Sequence, residues 1–147
     1  MKNIEIFCDG SSLGNPGFGG YCAILRYTHQ GKITEKIISG ARLEVTNNQM
    51  ELLAVIEALK ALKEPCDITL FSDSRYVCDG IGQWIYNWIK KDFKNVKNPD
   101  LWRIYLEVAK PHKVRTFWVK GHSNHPENEK CDTIARAQAQ ELKDKHG

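Results

Sequence analysis

The sequence predicts an α/β fold: a five-stranded mixed sheet, three antiparallel strands plus two parallel ones, flanked by helices. Three observations carry this. Residues 1–45 hold only strand-like runs, split by the turn-forming His29-Gln30-Gly31, as an antiparallel meander requires. Beyond them, short β-branched and aromatic runs alternate with helical stretches, the pattern of parallel strands joined by crossovers. A length of 147 residues suits a single domain.

In chain order, residues 4–8 read as a buried strand that stops on Asp9, and Gly20–Thr28 and Lys32–Leu43 as the two strands of a hairpin. TNNQMELLAVIEALKALK reads as a helix, because Thr46 and Gln49 have capping-box spacing and good helix formers follow. Pro65 closes that stretch. DITLFS, residues 67–72, is the fourth strand and also ends on an aspartate, Asp73. Short helices broken at Gly80 and Gly82 follow, then a helix from Asn98-Pro99-Asp100 to about Lys110. KVRTFWVK, residues 113–120, is the fifth strand, and the GHSNHPENE loop leads into a C-terminal helix with Pro126 in its first turn.

Composition excludes several classes. No apolar run approaches the roughly 20 residues of a membrane span, and the N-terminus has no secretory segment, so a cytoplasmic location is expected. The five cysteines contain no Cys-x-x-Cys pair, which argues for free thiols over a disulfide framework or zinc ribbon. Charge is uneven: from Gln83 to Asn98, Lys90, Lys91, Lys94 and Lys97 face only Asp92, an excess as large as the net +3 of the whole chain. Trp84, Tyr86, Trp88 and Phe93 are interleaved with those lysines. Rings beside sugars and ammonium groups beside phosphates would use such a mixture, and so would an amphipathic helix with buried tryptophans.

Four acids draw the eye. Asp9 and Asp73 stand at carboxyl ends of strands, where sheets with parallel strands collect ligands, although aspartate is also a common turn or cap residue there. Glu51 lies nine positions from Lys60, about 180° around the helix, so it points away from the charged stripe and toward Val55, Ala58 and Leu62. A carboxylate there needs a cation or donors, unless it serves its own helix dipole. Asp132 alone reads as a surface residue of the last helix. A fourth acid beside the same strand ends would complete an oxygen-rich pocket suited to Mg²⁺ or Mn²⁺. The glycine-rich SSLGNPGFGG matches neither dinucleotide nor P-loop spacing, which leaves tight turns and close backbone approach to a strand of nucleic acid.

Taken together, DGSSLGNPGFGGYCAIL, TNNQMELLAVIEALKAL, SDSRYV, QWIYNW, VKNPDLW and WVKGHSNHPENEKCDTIAR are collinear with, and closely resemble, type 1 ribonuclease H of bacteria. The resemblance implies endonucleolytic hydrolysis of the RNA strand of RNA/DNA hybrids, giving 5′-phosphate and 3′-hydroxyl ends. It implies a monomer needing two Mg²⁺ ions, with Mn²⁺ as substitute, held by Asp9, Glu51, Asp73 and Asp132. His122 is implied in proton transfer or product release, with Glu129 assisting near the metal. Asn15, Asn47 and Asn48 match positions that contact RNA, and Thr46 and Asn98 positions around a DNA phosphate. Arg75, Trp84, Trp88, Lys91 and Lys97 complete the expected substrate surface. Three departures stand out: Arg75 replaces the usual amide, the basic loop between Phe93 and Val96 is short, and Glu44 sits where an arginine would serve the phosphate pocket, a role left to Arg42. The competing readings are a hybrid-binding module without catalysis and a DNA nuclease of the same superfold.

Overall fold

A computed structural model describes residues 1–120 and 125–146. Strands β1 (Lys2–Gly14), β2 (Gly17–His29) and β3 (Lys32–Val45) form the antiparallel meander, α1 (Asn47–Lys60) crosses over, and β4 (Cys66–Ser72) returns parallel to β1. Helix α2 (Arg75–Asp79), α3 (Ile85–Lys90) and α4 (Pro99–Ala109) lead to β5 (Lys113–Trp118), parallel to β4, and α5 (Pro126–His146) follows. The sheet order is β3-β2-β1-β4-β5, the mixed sheet expected. No helix among the described residues is long and apolar enough to cross a membrane.

The two faces of the sheet are covered differently. On one, Ile6, Cys8, Ile68 and Leu70 pack with Met50, Leu52, Val55, Ile56 and Leu59 of α1 and with Trp102 of α4. Each such buried aliphatic side chain contributes about 1.5–3 kcal/mol. On the other, α5 lays Cys131 and Ala135 over Phe7, Cys22 and Ile24. All five cysteines are buried and free, as their spacing predicts.

Two local expectations change. β1 does not stop on Asp9: it runs on to Gly14 because β2 pairs with it as far as Gly14 opposite Gly17, while its parallel pairing with β4 ends at Phe7 opposite Phe71. The helical stretch at Gly80 and Gly82 is not broken but widened, α2 passing into α3 through a π-helical turn over Gly80–Trp84. Gly80 is there for packing, since a Cβ on it would stand 2.5 Å from the Trp102 ring. The glycines of the β1–β2 ribbon also serve the protein's own packing. Gly14 supplies the turn at φ +108°, but a Cβ on Gly19 would lie 2.7 Å from Met50 Cγ and one on Gly20 2.8 Å from the Ala139 nitrogen of α5.

Candidate functional site

Register explains why two of the acids meet. Phe7 and Phe71 are the last parallel partners of β1 and β4, and Asp9 and Asp73 each stand two residues beyond them, the same offset past the end of the ladder. Glu51 arrives from above. Thr46 caps α1, with its side chain accepting the Gln49 N–H while Gln49 reaches back to the Thr46 N–H, and this fixes the first turn so that Glu51 faces β1. Of the two readings of Glu51, the structure therefore gives burial toward the sheet: the residue is 6% exposed and its Oε1 accepts the Gly10 N–H at 2.6 Å. That same N–H is shared with Asp9 Oδ1 at 3.0 Å, so one backbone donor ties two carboxylates together.

Asp9, Glu51 and Asp73 each offer an oxygen within 4.8 Å of the others. Burial is the main cause pushing the Asp9 carboxyl up to about 7; the Glu51 hydrogen bond opposes it, and Asp73 and Asp132 add to it. Burial, then the nearby Asp9, also raises Glu51 well above the carboxylate range. Beneath them the Cys8 thiol is raised by burial and by Glu51, and stays neutral. A hard divalent cation fits this group. The donors are all oxygen, and the cation would offset the burial of negative charge and the carboxylate repulsion.

The remaining predicted residues fall into distinct places. Asp132, on α5, lies outside the triad and accepts the Arg136 Nε–H at 3.1 Å, although it is near enough to Asp9 to raise it. Glu129 is exposed on the same helix. His122 lies outside the described residues. Asn15, Thr46, Asn47, Asn48, Lys97 and Asn98 line a single polar pocket of about 320 Å³. Within it Asn15 Oδ1 accepts the Asn47 N–H at 2.9 Å, and Gln49 Nε2 donates to Asn98 Oδ1 at 3.1 Å. Arg42 does not serve this pocket: its guanidinium packs over Tyr21 and turns toward Glu57.

On the basic stretch, Lys90, Lys91, Lys94 and Lys97 are all exposed. Its rings divide. Trp84 and Tyr86 are exposed, Trp88 is half-buried edge-on to Trp102, and Phe93 belongs to the core under Arg103. Phe93 is thus removed from the candidate surface.

Two residues escaped the sequence reading. Tyr76 joins the pocket to the core: its hydroxyl donates to the Lys97 carbonyl and accepts from Asn98 Nδ2 and Trp102 Nε1. Trp118 donates its indole N–H to the Asp73 carbonyl at 3.0 Å. A half-buried tyrosine hydroxyl needs a polar partner, but only the fold reveals which partner Tyr76 has.

Comparison with known proteins agrees with this geometry. Residues 1–140 match the RNase H family model. Ribonuclease HI of Helicobacter pylori (strain ATCC 700392 / 26695) is 60% identical over 140 residues, 95% of either chain. A ribonuclease H of Campylobacter concisus is 56% identical over 146 residues, 99% of either chain. Among solved structures, a type 1 RNase H with the type 2 active-site motif superposes with a TM-score of 0.88 at 28% identity, covering 95% of this chain and 73% of that one. With a family model over nearly its whole length and relatives at this identity, the chain belongs to the RNase H family.

Proposed function

We propose that this chain cuts the RNA strand of RNA/DNA hybrids, leaving 5′-phosphate and 3′-hydroxyl ends, with Asp9, Glu51, Asp73 and Asp132 holding Mg²⁺, or Mn²⁺ in its place. The observation that carries this is the oxygen triad brought together by β1, α1 and the end of β4, beside a pocket of amides and one lysine. The chemistry supplied by two such bound ions is activation of the attacking water and stabilisation of the departing 3′-oxygen. The chain's own residues do the rest. Asn15, Asn47 and Asn48 present donors and acceptors suited to 2′-hydroxyls, while Thr46, Lys97 and Asn98 hold a phosphate of the other strand. His122 moves a proton or helps product leave, and Glu129 assists near the metal. A cytoplasmic location and a monomeric state belong to the same proposal.

Labelled RNA/DNA hybrid, duplex DNA, duplex RNA and single-stranded RNA, each incubated with Mg²⁺, Mn²⁺ or EDTA, test the reading. Loss of the hybrid's RNA strand alone, abolished by EDTA, is the expected result; cleavage of duplex DNA or binding without cleavage would overturn it. The lysine stretch supplies a second expectation. With Lys90, Lys91, Lys94 and Lys97 all replaced by Ala, hybrid affinity should fall, and the slope of log affinity against log salt should flatten by about one for each phosphate no longer neutralised. An unchanged slope would remove this stretch from the substrate surface.

A further inference from the structure

The β4–β5 ladder runs out just where the metal centre begins. Ser72 pairs in register with Trp118, and its carbonyl accepts the Val119 N–H at 2.9 Å. Asp73 is the next residue, past the last rung, and a carbonyl there still needs a donor. The donor is the Trp118 indole Nε1–H, at 3.0 Å. Two successive carbonyls are thus gripped by two successive residues, one through the main chain and one through a side chain.

The rest of this junction is pinned as well. Ser74 N–H donates to Ser72 Oγ at 3.0 Å, and Ser74 Oγ caps α2 by accepting the Val77 N–H at 3.2 Å. Arg75 then lays its guanidinium 3.9 Å from the centre of the Trp118 ring. Burial does not explain Trp118, which is 36% exposed. Its two visible functions are the hydrogen bond to the Asp73 main chain and the platform for Arg75.

We propose that Trp118 is a positioning residue for the metal centre: its indole N–H fixes the Asp73 main chain, and so the reach of that carboxylate toward Asp9 and Glu51, while its ring presents Arg75 to a substrate phosphate at the rim. This rests on the reading of Asp9, Glu51 and Asp73 as metal-binding acids. The two tasks separate chemically. Phenylalanine keeps a ring for Arg75 and lacks the N–H; glutamine in place of Arg75 gives up the stacked cation and leaves the indole bond intact.

Calorimetric titration of Mn²⁺ into the protein without nucleic acid is the direct test, run beside steady-state cleavage and thermal melting. Trp118→Phe should weaken Mn²⁺ binding about fivefold, the weight of one hydrogen bond, and lower kcat by a similar factor with KM for hybrid unchanged. Its midpoint should stay within about 4 °C of wild type. Arg75→Gln should raise KM and leave Mn²⁺ affinity alone. Wild-type Mn²⁺ affinity in Trp118→Phe, an equal loss in Arg75→Gln, or a loss accompanied by a melting point lowered by more than about 10 °C would overturn the assignment. A wild-type protein that takes up no Mn²⁺ overturns both this and the functional reading, whereas full affinity in Trp118→Phe overturns this one alone.

Discussion

Asp9→Asn is expected to lower hybrid cleavage about a thousandfold or more while making the metal-free protein more stable. Both effects come from one carboxylate. It sits 5% exposed, and burial, aided by Asp73 and Asp132 and opposed by the hydrogen bond with Glu51, carries it from 3.8 to about 7. The folded state thus binds this proton more tightly than the unfolded chain does. Below about pH 4 the group is neutral in both states and costs nothing. As pH rises toward 7 the unfolded chain sheds its proton first, and a penalty of up to about 4 kcal/mol accumulates, complete above pH 7. Asparagine removes that penalty, because its Oδ1 can still accept the Gly10 N–H and its Nδ2 becomes a donor to the surrounding carboxylates. In EDTA at pH 8 the variant should melt about 5 °C or more above wild type, and near pH 4 the two should converge. Mg²⁺ should stabilise wild type and hardly affect the variant. Melting curves at the two pH values with and without Mg²⁺, beside a cleavage assay, check this; a variant that cuts hybrid near the wild-type rate would remove Asp9 from the centre.

What the sequence made legible was local or periodic. The capping box of Thr46 and Gln49 is written in four residues, and the burial of Glu51 follows from its angle on the helix. The mixed sheet follows from the order of runs and crossovers. What it concealed depends on partners far away in the chain. β1 outlasts Asp9 only because β2 continues to pair with it, and nothing in GSSLG has strand propensity to announce this. The glycines announce turns and close approach, but that Gly19 and Gly20 also make room for Met50, Val45 and α5 is set by tertiary packing. Phe93 and Trp84 are both aromatic residues among lysines, but only one is core. Asp132 comes close to Asp9 from α5, the last helix of the chain, and nothing in its local sequence announces that approach.

Gly10→Ala should damage the fold and the acid cluster together. The ideal Cβ would overlap the Met50 carbonyl carbon and the Glu51 nitrogen and stand 2.6 Å from the Met50 carbonyl oxygen. These are main-chain atoms in the first half of α1, so no side chain can swing aside to make room; the helix must move off the sheet. Doing so loosens Leu52, Val55, Ile56 and Leu59 from Ile6 and Cys8, at a cost of about 3 kcal/mol or more. It also stretches the 2.6 Å bond from the Gly10 N–H to Glu51, which draws Glu51 away from Asp9. Stability and metal affinity should therefore fall together, and cleavage with them. Gly31→Ala is the control: its φ of +78° disfavours a side chain at about 1 kcal/mol, but no atom lies within 4 Å of the added methyl. Its hairpin turn lies at the far end of β2 from the acids, and it should cut hybrid at the wild-type rate. Urea unfolding and Mn²⁺ titration of the two variants distinguish a clash against α1 from the general cost of replacing glycine. Equal losses in both would mean that the contact between Gly10 and α1 does not hold Glu51 in place.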